Sequence, residues 1–193
     1  MTFYIEKLTS IRDRYSHRDI VDIISEGFGK KFTSLNLEEP TVKKVINNLC
    51  IILWNSNNTI VVLKDEKIIG VLVFSTQKEH FNLRKKLFEG ISIKESIYLF
   101  LFFSVLSYHA SKNETYIELI AVSKEFRKQG IGKELINYIK YHNLNKVITL
   151  FVSEDNKNAL RLYKKQAFTV KRKIKSKFVK KIIGIKGFYF MSY

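Results

Sequence analysis

Two glycines follow a short run of cations in the segment RKQGIGK, residues 127–133. A glycine at the start of a helix lets the backbone approach a ligand, and the unpaired N–H groups and the dipole of that helix end favour negative charge. Arg127 and Lys128 would add charge and hydrogen bonds around the same anion. These residues therefore predict a phosphate site around Gly130 and Gly132; the alternative is that the pair only shapes a turn.

Two common phosphate-binding motifs do not fit this glycine pair. A dinucleotide-binding unit requires G-x-G-x-x-G directly after a strand, but Leu135 takes the third glycine position and seven residues separate Val122 from Gly130. A Walker loop requires G-K-[ST], and no such sequence follows the pair. Any phosphate site here must therefore be of another kind.

The elements around the glycine pair have the clearest patterns in the chain. Residues 116–122 predict a buried strand, 131–144 an amphipathic helix and 146–153 a second strand. A further helix is predicted over 156–166, followed by a basic strand and a final aromatic strand. The pair is thus expected between a strand and the helix that follows it.

The first half of the chain supplies the rest of the scaffold. A strand, two helices, a hairpin and a helical stretch are predicted over 3–8, 17–32, 41–49, 58–77 and 79–109. Gly90 divides the last of these into two helices. No repeat or linker is visible, so a single domain over residues 1–193 is expected.

The composition, 46% hydrophobic and 13% aromatic with one proline in 193 residues, is typical of a folded protein. Cys50 is the only cysteine, which rules out an intrachain disulfide and favours a reducing cytoplasm. The N-terminus lacks the apolar core of a secretory signal. The four histidines include no pair at metal-ligand spacing, so no metal is expected.

The net charge of +16 is concentrated in the last third of the chain, where no acidic residue follows Asp155. Such a field attracts nucleic acid, membrane lipid or an anionic ligand. A solvated basic face explains the charge equally simply, and we favour it over a nucleic-acid surface. The most apolar run, 97–108, is shorter than the ~20 residues that cross a bilayer, so it predicts a buried helix and no membrane partner.

Three segments in order, the strand 116–122, the loop RKQGIG and the stretch FVSEDNKNALRLYKKQAF, resemble the GNAT superfamily of acyl-CoA-dependent N-acyltransferases. The resemblance covers residues 116–175. Ala167 stands where the family usually has glycine, which puts the turn into the next strand in doubt. The family signature [QR]-x-x-G-x-[GA] and the later pattern N-x-x-A-x-x-L-Y-x-x-x-G-F are matched by Arg127, Gly130, Gly132, Asn156, Ala159, Leu162, Tyr163 and Phe168.

The resemblance implies an α/β (α+β) fold: a mixed, mainly antiparallel central sheet flanked by helices, with 79–109 as an extra helical insertion. It also implies acetyl-CoA as the cosubstrate, with its pyrophosphate on the backbone N–H groups of the signature loop and its pantetheine arm along the preceding strand. Asn156 either contacts the cosubstrate or caps a helix. The residues implied in binding are Ile120, Ala121, Val122, Arg127, Lys128, Gln129, Gly130, Ile131, Gly132, Lys133, Asn156, Ala159 and Tyr163.

The implied reaction is direct attack of an amine on the acetyl thioester, which needs a base for the ammonium and benefits from an acid at the sulfur. Tyr163 matches the family tyrosine near the sulfur and is the expected acid; the alternative is a packing role. For the base we select Glu118, because strand alternation places it on one face with Ile120 and Val122. A structural carboxylate paired with a cation is the alternative for Glu118.

The sequence therefore predicts a cytoplasmic acetyltransferase that moves an acetyl group from acetyl-CoA to a primary amine in a ternary complex. The acceptor is an amine-bearing small molecule or peptide. The 79–109 insertion is interpreted as a lid over the acceptor site or as a contact with a second subunit in a homodimer. The alternative function is a non-catalytic acyl-CoA or nucleic-acid binding module that uses the basic C-terminal third.

Overall fold

The computed structural model describes residues 2–33, 35, 37–76, 85–106, 108–175, 180 and 186–193. Its centre is one seven-stranded sheet with the strand order β1-β2-β3-β4-β5-β7-β6. Only β4 and β5 pair in parallel, and the other neighbours are antiparallel. The strands are β1 (Tyr4–Lys7), β2 (Thr59–Lys64), β3 (Lys67–Ser75), β4 (Glu114–Val122), β5 (Val147–Ser153), β6 (Thr169–Ile174) and β7 (Phe188–Ser192).

Helices cover both faces of the sheet, and each face has its own apolar cluster. One cluster joins the first three helices to the sheet residues Val71, Val73, Leu119 and Ala121. The other joins the last two helices to neighbouring sheet residues that point the opposite way. The mixed fold with flanking helices is thus confirmed. The helices are α1 (Val21–Thr33), α2 (Glu39–Trp54), α3 (Ile93–Leu106), α4 (Ile131–His142) and α5 (Lys157–Lys165).

The predicted hairpin is confirmed, with a turn at Asp65 and Glu66 between β2 and β3. Both turn residues have positive φ, 48° and 57°. Positive φ at both central residues is typical of a type I′ turn, whose backbone twist matches that of the flanking strands. The hairpin therefore fixes β3 next to β4, the strand that leads to the glycine pair.

Helix α2 is longer than its predicted core over 41–49. It begins at Glu39, with Pro40 in the first turn, where its missing N–H costs nothing. Leu53 is buried one further turn along and extends the apolar face that the sequence indicated. This face packs against α1 and the sheet, where it forms part of the pocket described below.

The predicted helical insertion is confirmed in its described part, whereas residues 77–84 and 107 lie outside the described residues. A 3-10 helix spans Lys85–Phe88, and Gly90, with φ of 70°, separates it from α3 as expected. The side of α3 that carries Leu99 and Phe102 is buried in the first cluster. None of the helices in the described ranges is long and apolar enough to cross a membrane.

Candidate active site

A gap opens in the sheet where β4 and β5 separate. The two strands pair in parallel from Glu114 to Ile117 of β4, with Ile117 opposite Leu150, and no later residue of β4 pairs with β5. Strand β4 continues to Val122 along β3 alone. The second half of β4 therefore has one edge free of any strand partner in the described structure.

A bulge in β4 lies at the start of this gap. Val73 of β3 pairs with Leu119, but the next residue, Phe74, pairs with Ile117. Glu118 is thus the extra residue, with no partner of its own on β3. Bulges bend a strand and redirect side chains, and here the bulge coincides with the end of pairing between β4 and β5.

The bulge corrects one expectation from the sequence. Strict alternation put Glu118 on one face with Ile120 and Val122, but Ile117, Ile120 and Val122 pack against the second apolar cluster. Glu118 instead shares a side-chain hydrogen bond with Ser75, which pairs with Tyr116. The shared-face prediction was wrong, because the extra residue shifts the alternation by one position.

The backbone of the free half of β4 faces the gap at alternate residues. The N–H of Ser123 donates to the carbonyl of Ile69 on β3. Because N–H groups alternate along a strand, those of Ile120 and Val122 point away from β3 and towards the gap. The carbonyl of Val122 accepts from Nε of Arg127 at 2.9 Å. An extended ligand lying in the gap would therefore meet free backbone donors at Ile120 and Val122.

The start of α4 presents a row of unpaired amides. Gly130 is the N-cap residue, with φ of 88°, and no side chain caps it. Its carbonyl accepts from the amides of Lys133 and Glu134 at 2.8 and 3.1 Å. The N–H groups of Gly130, Ile131 and Gly132 donate to no acceptor among the described residues. Such a group of donors at a helix N-terminus suits an anion.

Gly130 and Gly132 are each required to be glycine for a different local reason. A side chain at Gly130 would meet no atom within 4 Å, but its positive φ disfavours any other residue. A Cβ at Gly132 would lie 3.1 Å from Cδ2 of Leu162 on α5. Gly130 thus keeps the loop open and turned, while Gly132 allows α4 and α5 to approach each other.

The cations of the loop are placed differently from each other. The Arg127 guanidinium lies 3.6 Å from Oε2 of Glu26 on α1 and also donates to Val122. Lys128 is exposed and has φ of 64°, a conformation that costs a non-glycine residue energy. In this arrangement Arg127 ties the loop to α1 and β4. A direct contact of either cation with a phosphate stays a prediction.

A pocket lies next to the gap, with a cavity volume of about 220 Å³. Its wall brings together both predicted catalytic residues, Glu118 and Tyr163, and the predicted cosubstrate residues Ile120, Asn156 and Ala159. The other wall residues are mostly apolar or aromatic: Phe28, Phe32, Leu49, Leu53, Val73, Phe102, Phe103, Tyr108, His109, Tyr116, Ile117, Leu119, Phe151, Val152, Ser153 and Phe188.

Helix α5 places Tyr163 in the pocket wall with only 8% of its surface exposed. Burial raises the pKa of the Tyr163 hydroxyl to about 12, so it remains protonated at neutral pH. At the other end of α5, the side chain of Asn156 accepts from the amide of Ala159 at 3.2 Å. Asn156 therefore caps α5, and it also belongs to the pocket wall.

The C-terminal end of α5 explains the family preference for glycine at position 167. Ala167 has φ of 61°, and the amides of Ala167 and Phe168 donate to the carbonyls of Lys164 and Tyr163. These bonds form a Schellman motif, whose left-handed residue is usually glycine. The Phe168 ring also packs on Tyr163, with centroids 5.8 Å apart. The turn is kept despite the alanine.

This alanine gives a testable stability prediction. Ala167→Gly removes a left-handed strain of about 1–2 kcal/mol, offset by about 0.4–1 kcal/mol of added unfolded-state entropy. We expect a rise in melting temperature of about 1–4 °C, measured by calorimetry. Gln166→Gly is the matched control, because Gln166 has an ordinary φ of −93° and its replacement should lower the melting temperature. A lower melting temperature for Ala167→Gly would contradict the strain.

Burial raises the pKa of Glu118 to about 7, and its hydrogen bond with Ser75 only partly opposes that shift. A carboxyl group with a pKa near neutrality can accept a proton and release it again at working pH. Glu118 makes no salt bridge with a lysine or arginine of the described chain. The described residues therefore give Glu118 no cation for the structural ion pair that was its alternative role.

Sequence reasoning missed the aromatic part of the pocket. The rings of Tyr108, Tyr116 and Phe151 lie 4.9 to 6.1 Å apart, in edge-to-face or tilted contact. The Tyr108 hydroxyl donates to the Glu114 carboxylate at 3.0 Å. The sequence pattern marks Tyr116 only as the start of a strand, and His109, also in the wall, only as one of four histidines without metal-ligand spacing. No local pattern marks these residues, because they meet only in the folded chain.

The sequence of this chain matches the family model of the GNAT acetyltransferases over residues 19–168. The match covers most of the chain and includes the glycine pair, the bulge and Tyr163. The chain therefore belongs to the acetyltransferase (GNAT) family. No curated protein matches the chain in sequence.

Solved structures confirm the fold across the full chain. An N-acetyltransferase from Staphylococcus aureus Mu50 is 18% identical, with 100% of both chains covered and a TM-score of 0.69. A structure described as histone acetyltransferase HPA2 and related acetyltransferase, from Corynebacterium glutamicum, is 16% identical, with 100% of this chain and 96% of that chain covered and a TM-score of 0.67. Ard1 from Thermoplasma volcanium is 18% identical, with 100% and 97% covered and a TM-score of 0.59.

Proposed function

We propose that this chain is an acetyl-CoA-dependent N-acetyltransferase that acts on a primary amine by direct attack in a ternary complex. One observation carries the proposal: the unpaired amides of Gly130, Ile131 and Gly132 stand beside a sheet gap that leads to Glu118 and Tyr163. The amides suit a diphosphate and the free edge of β4 suits an amide-containing arm. The donors therefore fit the diphosphate and the amide-containing arm of acetyl-CoA, in the order in which the molecule carries them.

The reaction requires one bond to form and one to break. The amine nitrogen attacks the thioester carbonyl carbon, a C–N bond forms, and the C–S bond breaks with its electron pair on sulfur. Glu118 accepts the proton released by nitrogen, directly or through a water, and the Tyr163 hydroxyl donates a proton to the sulfur. The products are the N-acetylated amine and free coenzyme A, and proton exchange with solvent restores both side chains.

The remaining parts of the site position the reactants. Backbone donors at Ile120 and Val122 would hold the arm and polarise the thioester carbonyl, a contribution whose loss costs about 100-fold or more in other enzymes. Ser75 holds the Glu118 carboxyl group at the bulge. We also propose that residues 1–193 act as one cytoplasmic domain, supported by the seven-stranded sheet and by the presence of only one cysteine in the sequence.

The loop gives a prediction with an isosteric control. Gly130→Asp and Gly130→Asn add side chains of the same size into open space, and Asp and Asn both tolerate positive φ better than other residues. Only the aspartate would repel a diphosphate at the adjacent amides. We expect calorimetry to show acetyl-CoA binding at least about tenfold weaker for Gly130→Asp than for Gly130→Asn, because charges in contact near a surface interact by about 4 kcal/mol before screening. Equal affinities would place the diphosphate elsewhere.

A further inference from the structure

The pocket also carries information about the acceptor. Its wall extends from the cosubstrate residues of β4 and α5 to side chains of α1, α2 and α3 on the first apolar cluster. The phenylalanines Phe28, Phe32, Phe102, Phe103 and Phe151 of this wall pack on the first cluster, on the side of the sheet away from α4. If the thioester lies in the gap, the aromatic half of the pocket is left for the amine.

Two groups of rings line this half. Phe32, Phe102 and Phe103 form the first group, with centroids 5.2 to 6.1 Å apart. Tyr108, Tyr116 and Phe151 form the second, with centroids 4.9 to 6.1 Å apart. Rings held in this way offer rigid apolar faces to another ring, and tyrosine faces also attract an ammonium group.

The charge of the wall is as informative as its shape. The chain has 34 lysines and arginines, yet none of them is among the described wall residues. Arg172 lies 5.9 Å from the centroid of Phe190, and neither residue belongs to the wall. Glu118 is the only carboxyl group of the described wall, and His109, which is exposed, is the only basic side chain there. Among the described wall residues, a carboxylate or phosphate on the acceptor would find no lysine or arginine to pair with, and burying an unpaired charge is costly.

The size of the cavity sets the remaining limit. Its volume of about 220 Å³ lies below the ~300–1,000 Å³ of sites for drug-sized ligands. Part of this space is also required by the acetyl group. A single ring with a short amine chain fits these limits, whereas an acceptor with several ammonium groups would meet only one carboxylate, Glu118, in the described wall.

We propose that the acceptor is a small arylalkyl monoamine, with one aromatic ring, one primary amine and no acidic group. This inference rests on the proposed acetyl transfer and names its substrate class. The ring packs against the two aromatic groups, and the amine points to Glu118 and the thioester. The transfer yields the neutral N-acetyl arylalkylamine and coenzyme A, so the acceptor loses its only charge.

The test compares amines that differ in one feature, with coenzyme A release from acetyl-CoA measured by a thiol reagent on the full chain. Phenethylamine, phenylalanine, butylamine, spermidine and a peptide with a free N-terminus are the acceptors. Phenylalanine is phenethylamine with a carboxylate, and butylamine lacks the ring. We expect kcat/KM for phenethylamine to exceed that for phenylalanine and spermidine by at least about 100-fold, because an uncompensated charge would be buried. We expect it to exceed butylamine by at least about tenfold, because the ring buries apolar surface.

A wall variant adds a readout of the ring contact itself. Phe103 is partly buried, so Phe103→Leu keeps the fold while it removes one face. It should lower the ratio of phenethylamine to butylamine turnover severalfold, because only the aromatic amine loses a ring contact. Faster acetylation of phenylalanine, spermidine or the peptide would overturn the arylalkylamine class and leave acetyl transfer standing. Binding of acetyl-CoA without turnover of any amine would overturn both proposals.

Discussion

Glu118→Gln is expected to lower kcat by about 10²–10⁴, the range typical for loss of a positioned general base. The amide has nearly the same shape but cannot accept the proton from nitrogen. In the unchanged chain, kcat/KM should rise with pH and level off above about 7, because the raised pKa of Glu118 sets the fraction ionised. The variant should lose this ascending limb. Initial rates with a fixed amine over pH 5.5 to 9 measure both effects.

Stability separates a catalytic role for Glu118 from a structural one. A carboxyl group whose pKa is higher in the folded than in the unfolded state binds more protons when folded, so it lowers the free energy of unfolding as pH rises from about 4.5 to about 7. Glu118→Gln removes this cost and should be at least as stable as the unchanged chain at pH 8. Glu6→Gln, on the exposed β1 strand, controls for the loss of one negative charge. An active but destabilised Glu118→Gln variant would show that Glu118 is structural.

Tyr163→Phe has the second largest expected effect, a fall in kcat of about 100-fold or more. The ring keeps its contact with Phe168 and its place in the second cluster, so affinity for acetyl-CoA should change little. The substitution removes only the hydroxyl group that would protonate the departing sulfur. Because burial raises the pKa of the hydroxyl to about 12, no descending limb from Tyr163 should appear below pH 10. Steady-state rates and calorimetry on the same preparation separate kcat from binding.

Tyr138→Phe is the matched control for this substitution. Tyr138 lies on α4, packs partly against the same cluster and stacks on His142, and it is not a wall residue. Its variant should keep the kcat of the unchanged chain. If Tyr163→Phe also retained full turnover, Tyr163 would be a packing residue and another group would protonate the sulfur.

The order of helices and strands followed from periodicity because apolar faces in this chain are regular. The alternation around Asp65 and Glu66 gave the hairpin, and the helical spacing after Pro40 gave α2. The ends of elements were less accurate, since Leu53 continues the buried face of α2 beyond the predicted core. The sequence drew attention to Gly130 as part of a phosphate site or a turn and to Ala167 as an unusual residue at a turn, and both have positive φ.

The candidate site was only partly visible in the sequence. Glu118 and Tyr163, the predicted base and acid, both lie in the wall of one pocket, but the sequence did not indicate the bulge. In a strand as apolar as β4, a period of two cannot reveal one extra residue, because polar markers on either side are missing. The aromatic half of the pocket was also missed, since rings such as Phe32 and Phe151 are distant in sequence and meet only through the sheet.

Titration calorimetry of the unchanged chain with acetyl-CoA tests most directly whether the N-terminus of α4 and the free edge of β4 bind this cosubstrate. We expect one saturable site per chain, together with a rise in melting temperature as the acetyl-CoA concentration exceeds the dissociation constant. A titration with no heat of binding at several temperatures, and no change in melting temperature at millimolar acetyl-CoA, would contradict it.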